Sequence, residues 1–201
     1  MTTDFWETIF KRHSIRRYLN QSVPRSAIER IISAAAHAPA AHNRQPWHFV
    51  VITSQGVRNQ LAQKMAEKYD QDMISQRIPG HIRKKRIKRS LSLLGEAPVI
   101  IIACLVNKQK YRKQSEYNAK LEEVMDIQSI AVATGHLLLA ATASGLGACW
   151  YAAPLFCPEI VHNQLQVDSE WEPQALITLG YADEFPQPKE KRTLKDIVTY
   201  V

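Results

Sequence analysis

Four short stretches concentrate the side chains that could do chemistry. The first, KRHSIRRY, sets Arg12, His13, Ser14, Arg16 and Arg17 together near the N-terminus. Guanidinium groups beside a hydroxyl and an imidazole supply positive charge and several donors, which is what a phosphate group requires, and arginine can meet it with two parallel bonds. Cations at the end of a helix also complement its dipole, so this cluster alone leaves two readings open. The second, PAAHNRQPWHF, runs from Pro39 through Ala40, Ala41 and Asn43 to Phe49. Two small residues let a flat ligand approach the backbone, and the Asn43 amide carries a donor and an acceptor, which suits the edge of a heterocycle. The alternative is a polar loop with His42 and Arg44 in water. The third, SGLGACWYAAP, follows two glycines with Trp150, Tyr151, Ala152 and Ala153. It could form a slot for a planar ring, or simply a helix cap and core packing. The fourth, PKEKRT, holds Lys189, Lys191 and Arg192, and by itself reads as an exposed basic tail.

These stretches contain no protein nucleophile with its base. A Ser-His-Asp order, a nucleophile elbow and a Walker loop are missing, and no carboxylate pair stands out. Cys104, Cys149 and Cys157 are too few and too widely spaced for a disulfide framework, and show no metal-ligand spacing. Chemistry without reactive side chains is commonly delegated to a cofactor.

The elements that must position these residues follow from periodicity. Phe5, Trp6, Ile9 and Phe10 share one side of an opening amphipathic helix. In SVPRSAIERIISAAAHAP, Ile28, Ile31, Ile32 and Ala35 recur on one face; Pro24 suits the first turn, Ser26 and Glu29 could form a capping box, and Pro39 stops the helix. Trp47–Thr53 reads as a strand. Residues 55–95 read as a basic helical excursion broken at Pro79-Gly80, with Ile87, Leu91 and Leu94 on its inner side. Ala97–Val106 is a continuous apolar run, as in a strand buried on both faces. Val124–Ser144, apolar nearly all round, reads as a buried central helix capped by Gly145. GACWYA and Ala175–Ala182 read as further strands, Pro158–Val167 as a surface helix, and residues 186–201 as a C-terminal arm. The sum is a single α+β domain over residues 1–201, with a sheet of four or five strands covered by helices on both faces.

The length of 201 residues and the 45% hydrophobic content suit a globular chain. No apolar run reaches the roughly 18 residues of a membrane span, and the start lacks signal-peptide character, so the expectation is a cytoplasmic protein. The net charge of +7 is local. Between Met73 and Gly95 there is no acid, while Arg77, Arg83, Lys84, Lys85, Arg86, Lys88 and Arg89 are all basic; the remainder is neutral. That segment could be a solvated face, a cationic lid that attracts phosphates, or a nucleic-acid contact.

Taken in order, RHSIR, PAAHNRQPWHF, GLGACW and LGYADEFPQPKEKR resemble the flavin-dependent nitroreductase family over most of the chain. HNRQPW with GLGACW is most similar to the branch containing the C-terminal domain of the deazaflavin-coenzyme glutamate ligase. The resemblance implies a three-layer α-β-α sandwich around a mostly antiparallel sheet. It implies FMN at the interface of a homodimer, with ping-pong hydride transfer from NADPH or NADH to a nitroaromatic, quinone or similar acceptor. It assigns Arg12, His13, Ser14, Arg16, Arg192 and Lys191 or Lys189 to the FMN phosphate, ribityl chain and ring edge. Pro39, Ala40, Ala41 and Asn43 would cover the ring from the other subunit. Trp150, Tyr151 and Ala152 would line it, with backbone N–H groups near Ala152 and Ala153 facing N5, and Gln128 or Ser129 adding a contact. No side chain is expected to be catalytic. The rivals are a flavin or deazaflavin binder, or a flavin-modifying enzyme, without nitroreductase turnover, and a nucleic-acid binder using residues 77–89.

Overall fold

A computed structural model describes residues 4–106, 115–187 and 190–201. Four strands, β1 (Trp47–Ile52), β2 (Val99–Leu105), β3 (Gly147–Tyr151) and β4 (Glu172–Gly180), form one antiparallel sheet in the order β1-β2-β4-β3. Every residue of β2 is buried, as its unbroken apolar run requires of a central strand. Alternation along it splits the core in two. Val99, Ile101, Ala103 and Leu105 face α2 (Arg25–Ala36) and α5 (Glu116–Ala143). Ile100, Ile102 and Cys104 face α3 (Gln55–Ser75), α4 (Gly80–Gly95) and α6 (Pro158–Leu165). The sandwich is therefore three layers, as expected, with the fully antiparallel sheet in the middle.

Several local expectations change. Helix α2 begins at Arg25 behind Pro24, and no side chain caps it. Glu29 pairs with Arg25 at 2.7 Å, so the Ser26–Glu29 capping box does not form. Helix α5 starts at Glu116, capped by Ser115, whose hydroxyl accepts from the Asn118 N–H. It is also not buried all round: Ile130, Ala133, Leu137 and Ala141 enter the core, while Tyr117, Leu121, Val124 and Val132 are exposed. Contrary to the composition reading, α5 is long and apolar enough to cross a bilayer, but its inner side is committed to the sheet. The segment read as an excursion supplies the outer layer itself, through Leu61, Ala62, Met65 and Leu94.

A short helix, α1 (Phe5–Lys11), precedes these layers and leaves Phe5, Trp6 and Phe10 exposed, with Trp6 stacked on Phe10 at 6.2 Å. At the other end, Leu194, Ile197 and Tyr200 are exposed along the C-terminal arm.

Candidate functional site

After α1 the chain runs extended along β3. Ser14 bridges to Ala148, and the Ile15 N–H donates to the Ala148 carbonyl at 3.0 Å. Gly147 permits this approach, because a Cβ there would lie 2.7 Å from Ile15 Cγ2. Farther on, the Tyr18 hydroxyl sits 2.6 Å from the Ile15 carbonyl and 2.7 Å from Thr178 Oγ1. Burial raises the Tyr18 pKa well above the ordinary phenol value, so it stays a neutral donor. The backbone N–H groups of Arg16 and Arg17 both donate to Glu184.

The strip so pinned lines a cavity of about 490 Å³, together with Pro186, Gln187 and Lys191. Arg12, His13, Ser14, Arg16 and Lys191 border it, and no carboxylate is among its described lining residues. His13 Nδ1 lies 2.7 Å from the Lys11 carbonyl, so that nitrogen carries a proton. Cations collected without an internal counter-charge suit an anionic group. Arg192 is not among the lining residues: its guanidinium turns along the arm to the Asp196 carbonyl. Lys189 lies outside the described residues.

The second cluster forms a loop with unusual backbone. A 3₁₀ turn spans Ala41–Asn43, and His42, Asn43 and Gln45 have φ of 51°, 52° and 48°. Non-glycine residues in this left-handed region cost on the order of 1 kcal/mol each or more, and persist only where their surroundings hold them. Helix α5 holds them. The Ala41 N–H donates to Ser129 Oγ at 3.3 Å, and Ser129 donates to the Met125 carbonyl at 2.8 Å. Arg44 Nε meets Asp126 Oδ1 at 3.0 Å, and another guanidinium nitrogen lies 2.5 Å from Glu122 Oε2. The Asp126 side chain is 2% exposed and that of Arg44 17%. Arg44 is thus an anchor rather than the solvent- or substrate-facing residue expected, and Ser129 serves the loop while Gln128 is exposed. The side chain of Asn43 is exposed, its Oδ1 accepting from Gln45 at 3.2 Å. Nothing in local sequence signals this anchor, because Asp126 follows Arg44 by 82 positions.

Within one chain the loop and the cation-lined cavity are not brought together; no residue from 39 to 45 lines that cavity. The third cluster also departs from expectation. Adjacent strand residues point to opposite faces. Trp150 lies on the side of α5, 41% exposed, whereas Tyr151 packs into the outer core. The two rings therefore do not wall a single slot. Burial raises the Tyr151 pKa. Ala152 is exposed and leads into a 3₁₀ turn, Ala153–Phe156. That turn borders a second cavity of about 580 Å³ beneath α3 and α4, lined in part by Met65, Lys68, Leu94 and Phe156. Sequence reasoning missed it, since its walls come from three separated segments.

A sequence model of the Nitroreductase family matches residues 9–181. An iodotyrosine deiodinase from Thermotoga neapolitana is 26% identical over 184 residues, covering 90% of this chain and 90% of that protein. A BluB-like flavoprotein from Clostridium difficile superimposes with a TM-score of 0.83 at 24% identity, covering 99% of each chain. A nitroreductase with bound FMN from Bacteroides fragilis gives 0.74 at 23% identity and covers 100% of each. The match spans three of the four clusters, all four strands and both helical layers, and the chain belongs to the nitroreductase family.

Proposed function

We propose that the protein is an FMN-dependent oxidoreductase that works as a homodimer, in the cytoplasm. The observation that carries this reading is the cation-lined cavity: Arg12, Arg16 and Lys191 line it with Ser14 and His13, and no carboxylate is among its described lining residues. A phosphate dianion fits that donor set. The bound FMN of the Bacteroides relative and the flavin of the Clostridium one support it further.

In this reading Arg12, Arg16 and Lys191 hold the phosphate, and His13 and Ser14 the ribityl chain. Backbone N–H groups near Ala152 and Ala153 face N5 of the ring, and Trp150 lies beside it. Pro39, Ala40, Ala41 and Asn43 of the second copy cover the ring; with alanines at 40 and 41, those contacts run through backbone. The exposed apolar residues of α1, α5 and the arm support such a dimer, since large apolar side chains left in water in this number suit burial against a partner. The chemistry that FMN supplies when bound is two-electron transfer, a hydride in from NADH or NADPH and electrons out to a small acceptor, in alternating half-reactions. The protein's own contribution is to hold both reactants in one slot and to place cations and N–H donors near the charge that develops.

The test is an absorbance spectrum of purified and FMN-reconstituted protein, before and after each nicotinamide nucleotide. Bound flavin, bleached by one or both nucleotides, is expected; absence of bound flavin overturns the reading. The acceptor is then sought among nitroaromatics, quinones and iodotyrosine, the last because a relative is a deiodinase. Flavin without turnover on any of them would favour the flavin-binding or flavin-modifying alternative.

A further inference from the structure

We infer that Arg44 is a positioning residue for the flavin site: its ion pairs with Glu122 and Asp126 on α5 hold the 41–45 loop in the conformation that presents Asn43. This rests on the FMN reading above for the ligand, but not for the clamp. Three of four consecutive residues, His42, Asn43 and Gln45 but not Arg44, have positive φ. Arg44 itself is right-handed, at φ −68°, and points back into the protein. The chain thus alternates between residues turned outward at conformational cost and one turned inward as an anchor. Two backbone bonds close the turn, Asn43 N–H to the Ala40 carbonyl at 2.9 Å and Arg44 N–H to the Ala41 carbonyl at 3.1 Å. Such a short turn does not hold three left-handed residues by itself. A planar guanidinium bonded to two carboxylates fixes direction as well as distance, which a lysine in its place would not do. Because the carboxylates sit on the helix whose outer side is exposed and apolar, the same helix would set the loop's position relative to a second copy.

The experiment separates clamp from stability and from flavin. Arg44→Met alone takes from Asp126 the guanidinium it is bonded to, so the informative protein is Arg44→Met with Asp126→Leu, which removes the two more buried charges of the network and leaves only Glu122, the most exposed of the three; Arg44→Lys and Asn43→Ala are its companions. Amide hydrogen exchange on the flavin-free proteins reads the clamp: Asn43 and Arg44 are expected to exchange at least about tenfold faster in the double variant at unchanged melting temperature. FMN titration reads the positioning. The double variant and Asn43→Ala are each expected to bind about tenfold more weakly, the worth of one neutral hydrogen bond, and combining them should add little. Arg44→Lys should fall between. Unchanged exchange would overturn the clamp. Faster exchange with wild-type FMN affinity, or fully additive losses, would overturn the positioning role. A wild-type protein that binds no FMN would instead remove the flavin reading, leaving the clamp to be decided by exchange alone.

Discussion

The two helical layers finish in opposite ways. The outer layer, α3, α4 and α6, buries Leu61, Ala62, Met65, Leu94 and Val161, and α4 turns Lys84, Lys85, Arg86, Lys88 and Arg89 outward. The inner layer, α2 and α5, buries its own core equally well but turns Tyr117, Leu121, Val124 and Val132 outward. Charged side chains end a protein; exposed aliphatic ones continue it into another. In the dimer proposed above, the contrast places the partner surface on the α5 side. Acids are distributed to match: Glu122 and Asp126 secure the loop on the inner side, whereas none interrupts the cations of α4.

That contrast can be broken by mutation. The largest effect is expected from Leu121→Asp with Val124→Asp. Both side chains are exposed in the protomer, so folding should survive, while burying two unpaired carboxylates at an interface costs on the order of 3 kcal/mol or more. Sedimentation should show monomers, and FMN affinity should fall with dimerisation; a dimer that persists would move the interface elsewhere. Leu61→Ala, in the outer core, should cost roughly 2–5 kcal/mol of stability by denaturant unfolding while leaving the oligomeric state alone. Arg16→Gln should weaken FMN binding by about 1.5–3 kcal/mol, with little change in melting temperature. Alkaline pH comes next. Burial pushes the Cys157 thiol up to about 11 and Cys104 up to about 12, both from 9.0. The stability these thiols contribute is complete below pH 9.0 and is lost as pH rises through their folded values. Both lie in the outer core, so the monomerised variant should lose melting temperature above pH 9.0 in parallel with wild type. The smallest effect belongs to Lys84→Gln, Lys85→Gln and Lys88→Gln together. Stability should change by no more than about 0.5 kcal/mol per site, and FMN affinity should not change. Binding of random duplex DNA by the wild type near physiological salt, lost in this variant, would revive the nucleic-acid alternative.

What could be read from sequence divides along the same line. Strands β2 and β4 were legible because a fully buried strand needs no partner information to look apolar, and the α3–α4 break was legible at Pro79-Gly80. Helix α5 was misjudged at both ends of the scale. Its polar first two turns hid its start, and its exposed apolar side reads as core in sequence, because exposed and buried apolar residues have the same composition. The cations of the cavity were found by type and spacing, yet Arg192 was expected there beside Lys191 or Lys189, and only the folded arm shows Lys191 lining it while Arg192 turns to the Asp196 carbonyl. Arg44 was beyond local reading, its partners being on another helix.

The separation of the cation cavity from the Asn43 loop within one chain also has a genetic meaning. If each ring site takes its phosphate grip from one copy and its cover from the other, a lesson follows for mixtures of damaged chains. Arg16→Gln and Asn43→Ala injure complementary halves, so a heterodimer of the two concentrates both injuries in one site and leaves its second site intact. Two alleles, each impaired alone, would complement when co-expressed, whereas a tethered pair carrying both lesions on the same chain would put one injury in each site and leave neither intact.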